Sequence, residues 1–179
     1  MSLGHAILGF LQVMPMTGYD LKTQAFDRTV THFWSAVQQQ IYRELDKMTE
    51  SGWIDFEIEV QMERPSRKVY HITEAGRTEL AGWLTQQQPL VQHREAFLIQ
   101  LFFAAQLSNE QIIDLLQGQL VGHRERLAAL RTIQIPSAAD PIQLRRQTLA
   151  QLTLDMGLRL EQMYVDWLTD AIEIVQALP

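Results

Sequence analysis

The chain has no cysteine. That excludes disulfides and thiolate metal sites and leaves the compartment open. No run of about 18 residues is free of polar side chains, so no membrane-spanning helix is expected. No charged segment with a cleavage site opens the chain, so no secretion signal is expected and the cytoplasm is the default location. Reaction chemistry is equally sparse. There is no glycine-rich phosphate loop, no His-Glu-x-x-His and no nucleophile motif. His5, His32, His71, His93 and His123 are scattered, and none stands at ligand spacing from another. His5 reads as a solvated or capping residue, His93-Arg94-Glu95 as a solvated helix start, and Glu44 and Glu50 as surface charges. The expectation is therefore no catalytic residue, no metal and no cofactor, and a protein that is not an enzyme. Positive charge is also in short supply. Lys and Arg number 15 against 21 Asp and Glu, and the net charge of −6 argues against indiscriminate nucleic-acid binding.

What is present is organised around residues 35–76. A helix with Val37, Ile41, Leu45 and Met48 on its apolar side ends at Ser51-Gly52, where glycine suits the left-handed residue beyond a helix. Residues 53–62 then alternate, with Ile54, Phe56, Ile58 and Val60 on one side and Asp55, Glu57, Glu59 and Gln61 on the other. That period of two predicts a strand with one wet face. Glu63-Arg64-Pro65-Ser66 predicts a turn, and residues 67–72 a returning strand. Thr73 offers an N-cap to a further helix, with Glu74 in its first turn. Helix, basic-tipped hairpin and helix form the pattern of a winged helix, whose helix enters the major groove while the hairpin lies along phosphates. The same pattern also describes a small α+β unit with no nucleic-acid role, and the residues alone leave both open.

Three segments carry a family resemblance. QQIYRELDKMTESGWID, RPSRKVYHITEAGRTEL and LGHAILGFLQVMPMTGYDLK resemble the recognition helix, the wing with its following helix, and the first two helices of PadR-family transcriptional regulators. The likeness covers roughly residues 3–85. Beyond it the second half resembles the family in helical layout and in the run REAFLIQLFF. The implied fold is mainly α with a small β-hairpin: an N-terminal winged helix-turn-helix over residues 1–86 and a helical dimerisation and effector-sensing domain over 90–179, parted near Gln86-Gln87-Gln88-Pro89. The implied function is a DNA-binding repressor released by a small aromatic or apolar effector. A winged helix that binds only protein is the alternative.

Charge in the first half needs care. Residues 1–85 carry eight Lys and Arg against eleven Asp and Glu. Local grouping points the other way: Arg64, Arg67 and Lys68 cluster at the wing, and Arg43 and Lys47 share a helix face. Expected DNA contacts are Tyr19 and Lys22 on the second helix, Ser35, Gln38, Gln39, Tyr42, Arg43 and Lys47 on the recognition helix, and Arg64, Ser66, Arg67 and Lys68 on the wing. Ser35, Gln38 and Gln39 occupy the first turns, where such helices meet base edges. Glutamine pairs with adenine, and arginine with guanine or phosphate.

The first helix is expected over residues 3–14, burying Leu3, Ile7, Leu8, Leu11 and Met14, and the second over 19–26. Residues 27–34 read as a connection that feeds Phe33 and Trp34 into core packing or, as the other reading, over an effector pocket. Leu80, Trp83 and Leu84 are expected to be buried on the helix after the wing. In the second half, residues 90–106 carry Phe97, Leu98, Leu101, Phe102 and Phe103. Ser108 to Gln111 is a capping box opening a stripe of Ile112, Leu116, Leu120, Leu127 and Leu130. Asp140-Pro141 starts a last helix about 55 Å long at 1.5 Å per residue. That helix has two apolar stripes. Leu149, Leu152, Met156, Leu160, Met163, Trp167, Ile174 and Leu178 form one; Leu154, Leu158, Val165, Leu168, Ile172 and Val175 form the other. A surface helix needs one. The second predicts a homodimer through Leu149, Leu152, Met156, Leu160, Met163 and Trp167, and with it a palindromic operator.

Overall fold

The computed structural model describes residues 2–31, 33–60, 66–90, 92 and 94–179. The chain divides into two compact units, Met1–Leu90 and Val91–Pro179.

The first unit runs α1 (Ser2–Val13), β1 (Met16–Thr17), α2 (Gly18–Asp20) continuing as a π-helical stretch (Leu21–Val30), α3 (Gln38–Glu50), β2 (Ile54–Glu59), β3 (Arg67–Ile72) and α4 (Glu74–Leu84). The three strands are antiparallel in the order β1-β3-β2. Ile7, Leu8, Leu11, Leu21, Phe26, Ile41, Leu45, Met48, Ile54, Tyr70 and Leu80 meet in one core. A 13-residue helix such as α3 is marginal alone. Full burial of Ile41, Leu45 and Met48, at about 1.5–3 kcal/mol per side chain, holds it against the rest.

The junction that sets the wing is built from backbone bonds. Gly52, at φ +70°, follows α3, and Trp53 N–H returns to the Met48 carbonyl at 3.0 Å while Gly52 N–H returns to Thr49 at 3.0 Å. This is the paired closure of a Schellman turn, and it delivers the chain directly into β2. Thr73 then caps α4, its Oγ1 accepting from Gly76 N–H at 3.1 Å. A Cβ on Gly76 would lie 2.1 Å from the Trp53 carbonyl oxygen, so α4 can approach the strand base only with glycine there.

Several expectations give way. Met16-Thr17 is a third strand as well as a break, because its partner Val69-Tyr70 lies far along the chain. The second helix continues to Val30. Val37 is the N-cap residue of α3 and 59% exposed, so the helix starts at Gln38 and leaves Ser35 outside it. Valine has no oxygen to cap with; instead the Gln40 side chain accepts from Val37 N–H at 3.3 Å. Met14, one residue past α1, and Leu84, the last residue of α4, are exposed. His5 is buried: its ring stacks on Trp83 at 4.6 Å, and its Nε2 stands 3.1 Å from a Glu79 oxygen, since α4 covers the first turn of α1. Glu44 is buried as well, beside Gly4 of α1. Phe33 and Trp34 are exposed at 55% and 38%, which removes the core reading for both. Trp53 and Trp83 do pack on the core. His32, Arg64 and His93 lie outside the described residues.

The second unit runs α5 (Ala96–Phe102), a 3-10 turn (Ala104–Gln106), α6 (Asn109–Arg131) and α7 (Pro141–Gln176). Ser108 and Gln111 exchange both bonds of the capping box, and Asp140 accepts from Gln143 N–H at 2.8 Å. The α6 stripe Ile112, Leu116, Leu120, Leu127 and Leu130 is buried throughout. Leu168 and Val175 of α7 join that core, with Val165 and Ile172 at its edge. The other α7 stripe stays open: Leu149, Leu152, Met156, Met163 and Ile174 are more than half exposed, Trp167 is 38% exposed, and Leu160 is half-buried. On α5, Leu98, Ile99 and Phe102 are also exposed, as is Phe103 just beyond it, so the expected apolar segment packs mainly Phe97 and Leu101, both half-buried, on the core. No helix of the described residues is long and apolar enough to cross a membrane.

Candidate nucleic-acid interface

α3 presents Gln39, Arg43 and Asp46 to solvent, with Gln38 half-buried and Tyr42 at 41% exposure. A cleft borders it on each side. The first, of about 430 Å³, is lined by Thr17, Gly18, Tyr19, Asp20, Tyr42, Ser66, Arg67, Lys68 and Tyr70. The second, of about 390 Å³, is lined by Leu3, Trp34, Ser35, Gln40, Arg43, Glu44 and Lys47. At 3.6 residues per turn, Tyr42 and Lys47 stand about 140° apart around the helix axis. The polar crest of the helix therefore rises between two recesses that hold most of the expected DNA contacts.

The first cleft is rigidly made. Thr17 Oγ1 accepts from Asp20 N–H at 3.0 Å and donates to Asp20 Oδ2 at 2.7 Å, which fixes the start of α2 and engages that carboxylate. Gly18 abuts Tyr42: an added Cβ would lie 2.5 Å from Cε1 and 2.9 Å from Cζ. The Tyr42 ring is thus seated against the α2 backbone. Tyr70 forms the floor; burial, then Asp46 and Tyr42, pushes its phenol above the ordinary range, so it stays a neutral donor. Tyr19 stands exposed at the rim.

The wing cations are held differently. Glu59 and Arg67 lie directly opposite in the β2–β3 ladder, and the guanidinium makes two bonds to the carboxylate, at 2.9 and 3.1 Å. Lys68, on the other face, places Nζ 4.1 Å from the Phe56 ring centre. The aromatic ring attracts the ammonium without cancelling its charge. In the second cleft, Lys47 Nζ is 3.6 Å from buried Glu44. Lys22 lines neither cleft and is paired with Asp27.

Of the expected contacts, Tyr19, Tyr42, Ser66, Arg67 and Lys68 meet in one cleft and Ser35, Arg43 and Lys47 in the other. Around the helix axis exposed Gln39 falls between Tyr42 and Lys47, and half-buried Gln38 falls on the far side of Tyr42. Sequence reasoning missed three participants. Gly18 was visible only as part of a motif, Glu44 looked like a surface charge, and the Glu59–Arg67 pair follows from hairpin register. Among the described residues no group of three His, Cys, Asp or Glu is placed to hold a metal.

Residues 7–82 match the transcriptional regulator PadR-like family, and residues 93–176 match the family described as virulence activator alpha C-term. The negative transcriptional regulator PadR of Bacillus subtilis is 32% identical over 177 residues, covering 97% of each chain. The crystal structure of that PadR in complex with operator DNA superposes with a TM-score of 0.85 at 31% identity, covering 98% of this chain and 99% of the other. Its complex with p-coumaric acid gives 0.78 at 30% identity, over 98% and 99%. The chain belongs to the PadR-like family of transcriptional regulators.

Proposed function

We propose that the chain is a sequence-specific repressor that binds a palindromic operator as a homodimer in the cytoplasm and is released by a small aromatic or apolar effector. The observation that carries this is the polar crest of α3 set between two clefts, in a chain alike from end to end to a PadR solved with operator DNA. Gln38 and Gln39 meet base edges, with Ser35 beside them. Tyr19, Tyr42, Ser66 and Lys68 hold phosphates on one side of the groove, Arg43 and Lys47 on the other, and Arg64 extends the wing contact. Dimerisation uses the open stripe of α7: Leu149, Leu152, Met156, Leu160, Met163 and Trp167. Apolar exposure on that scale along one helix marks an association surface. The effector reading is supported by the p-coumaric acid complex of the relative.

The test is a gel shift against the chain's own upstream region, with and without p-coumaric acid, beside sedimentation at low micromolar concentration. A retarded band that weakens steeply with salt, release by the acid, and a mass twice 20.7 kDa are expected. No band at low salt sinks the DNA reading and leaves the protein-binding alternative. If p-coumaric acid has no effect, the titration is extended to a panel of aromatic acids and hydrophobic amines, and a band indifferent to all of them sinks the effector.

A further inference from the structure

The stem of the wing carries a carboxylate placed where a DNA contact is needed. On the outer face of the hairpin, Glu59 sits across the ladder from Arg67 and takes its guanidinium by two bonds of 2.9 and 3.1 Å. We propose that Glu59 is a positioning residue that withholds Arg67 from phosphate, so the stem pulls on DNA through Lys68 alone. The proposal rests on the DNA-binding reading above.

Three observations support it. First, the pair is bidentate and cross-strand, the geometry that suits a planar guanidinium best. Second, Asp20 lines the same cleft as Arg67 and adds a smaller attraction, so the guanidinium is drawn by acid from α2 as well as from β2. Third, Lys68 on the opposite face is held by Phe56, which leaves its charge intact. Two neighbouring cations therefore have different fates: one is neutralised in place and the other is left to act. Arg67 and Glu59 are each 48% exposed, so the pair contributes little to folding and can be altered without unfolding the wing.

Purified full-length protein is titrated by fluorescence anisotropy with two labelled duplexes, the chain's own upstream region and a scrambled sequence, from 50 to 200 mM salt. Circular dichroism checks the fold of each variant. The slope of log affinity against log salt counts phosphate contacts, about 0.9 per contact. R67A is expected to leave the wild-type slope unchanged. E59Q removes the competing charge and steepens the slope by about 0.9 on both duplexes; over that fourfold salt range its advantage shrinks about 3.5-fold. The double variant E59Q/R67A returns to the wild-type slope. E57Q makes the same charge change on the same strand face, where among the described residues no ion pair is made, and leaves the slope unchanged. A wild-type slope that flattens by about one contact in R67A overturns the proposal, because Arg67 then already reaches phosphate. So does an E59Q slope equal to the wild type, or an E57Q effect equal to that of E59Q. Failure of the wild type to bind either duplex at any salt overturns the DNA reading itself.

Discussion

Gly18 seats Tyr42, and that coupling can be measured. Gly18 is buried at the first position of α2, and its φ is not positive, so the backbone accepts an L residue. The obstacle is space. An alanine Cβ would stand 2.5, 2.9 and 3.1 Å from Tyr42 Cε1, Cζ and Cδ1. Carbon atoms pack at about 3.5–4.0 Å, so the ring must retreat by about 1 Å or swing out. Overpacking of this kind costs about 1–3 kcal/mol, and the lost freedom of the unfolded chain returns about 0.4–1 kcal/mol. A net loss of about 1 kcal/mol in stability is expected for Gly18→Ala. Tyr42 is 41% exposed, so the ring has an exit and the fold survives. DNA affinity suffers more, because a displaced ring carries its hydroxyl off the phosphate path; a tenfold loss corresponds to about 1.4 kcal/mol. The decisive comparison is a cycle of wild type, G18A, Y42A and G18A/Y42A, each measured by urea denaturation and by anisotropy at fixed salt. In the Tyr42→Ala background the three closest contacts of the new Cβ are gone, and most of the cost of G18A disappears. The expected coupling is about 1–2 kcal/mol. If G18A is as damaging without the ring as with it, the seating argument is wrong.

Other expectations follow from the same geometry. Gly76→Ala drives a Cβ to 2.1 Å from the Trp53 carbonyl oxygen, which no rotamer relieves, and costs about 3 kcal/mol or more by urea denaturation. Gly82→Ala on the same helix meets nothing within 4 Å and is stabilising by up to about 1 kcal/mol. Leu152→Glu with Met156→Glu changes two side chains that are 60% and 63% exposed, so the fold stays intact while sedimentation reports the 20.7 kDa monomer; a persisting dimer means another surface pairs. Tyr164 donates to Glu95, which with burial pushes its phenol up to about 12. A raised folded value contributes stability that is present below the unfolded value near 10 and lost as pH climbs towards 12. Tyr164→Phe removes that component of the alkaline loss, read as a smaller fall in urea midpoint between pH 9.5 and 11.5. An identical fall in both proteins refutes it.

Much of the architecture was legible because its causes are local. The Ser108 capping box, the Asp140-Pro141 start, the Thr73 cap and the Gly52 turn each satisfy backbone groups with residues a few positions away, so their spacing in the chain is their spacing in space. The period of two reports the face that meets a core only at Ile54 and Phe56: Ile58 and Val60, expected on the same apolar side, stand 62% and 79% exposed, because the hairpin runs out beyond the core. The stripe from Ile112 to Leu130 reports the face that meets a core. The open stripe of α7 was legible for the same reason: two apolar faces on one helix exceed what α6 covers.

What escaped was decided by partners remote in sequence. Two residues, Met16 and Thr17, become a strand only because β3 offers a free edge more than fifty positions later. His5 is buried because Trp83 of α4 lies over it, and Glu44 because Gly4 of α1 leaves room for its carboxylate. Val37 and Trp34 carry core chemistry yet stand exposed, since Ala36 alone anchors the entry to α3. The candidate site divides in the same way. Composition and helical period placed Gln38, Gln39, Tyr42 and Arg43 on or beside a wet face. Only the fold assigned Arg67 to Glu59, Lys22 to Asp27 and Lys68 to Phe56, because a charge's partner is set by which surfaces the packed chain brings within a few ångströms.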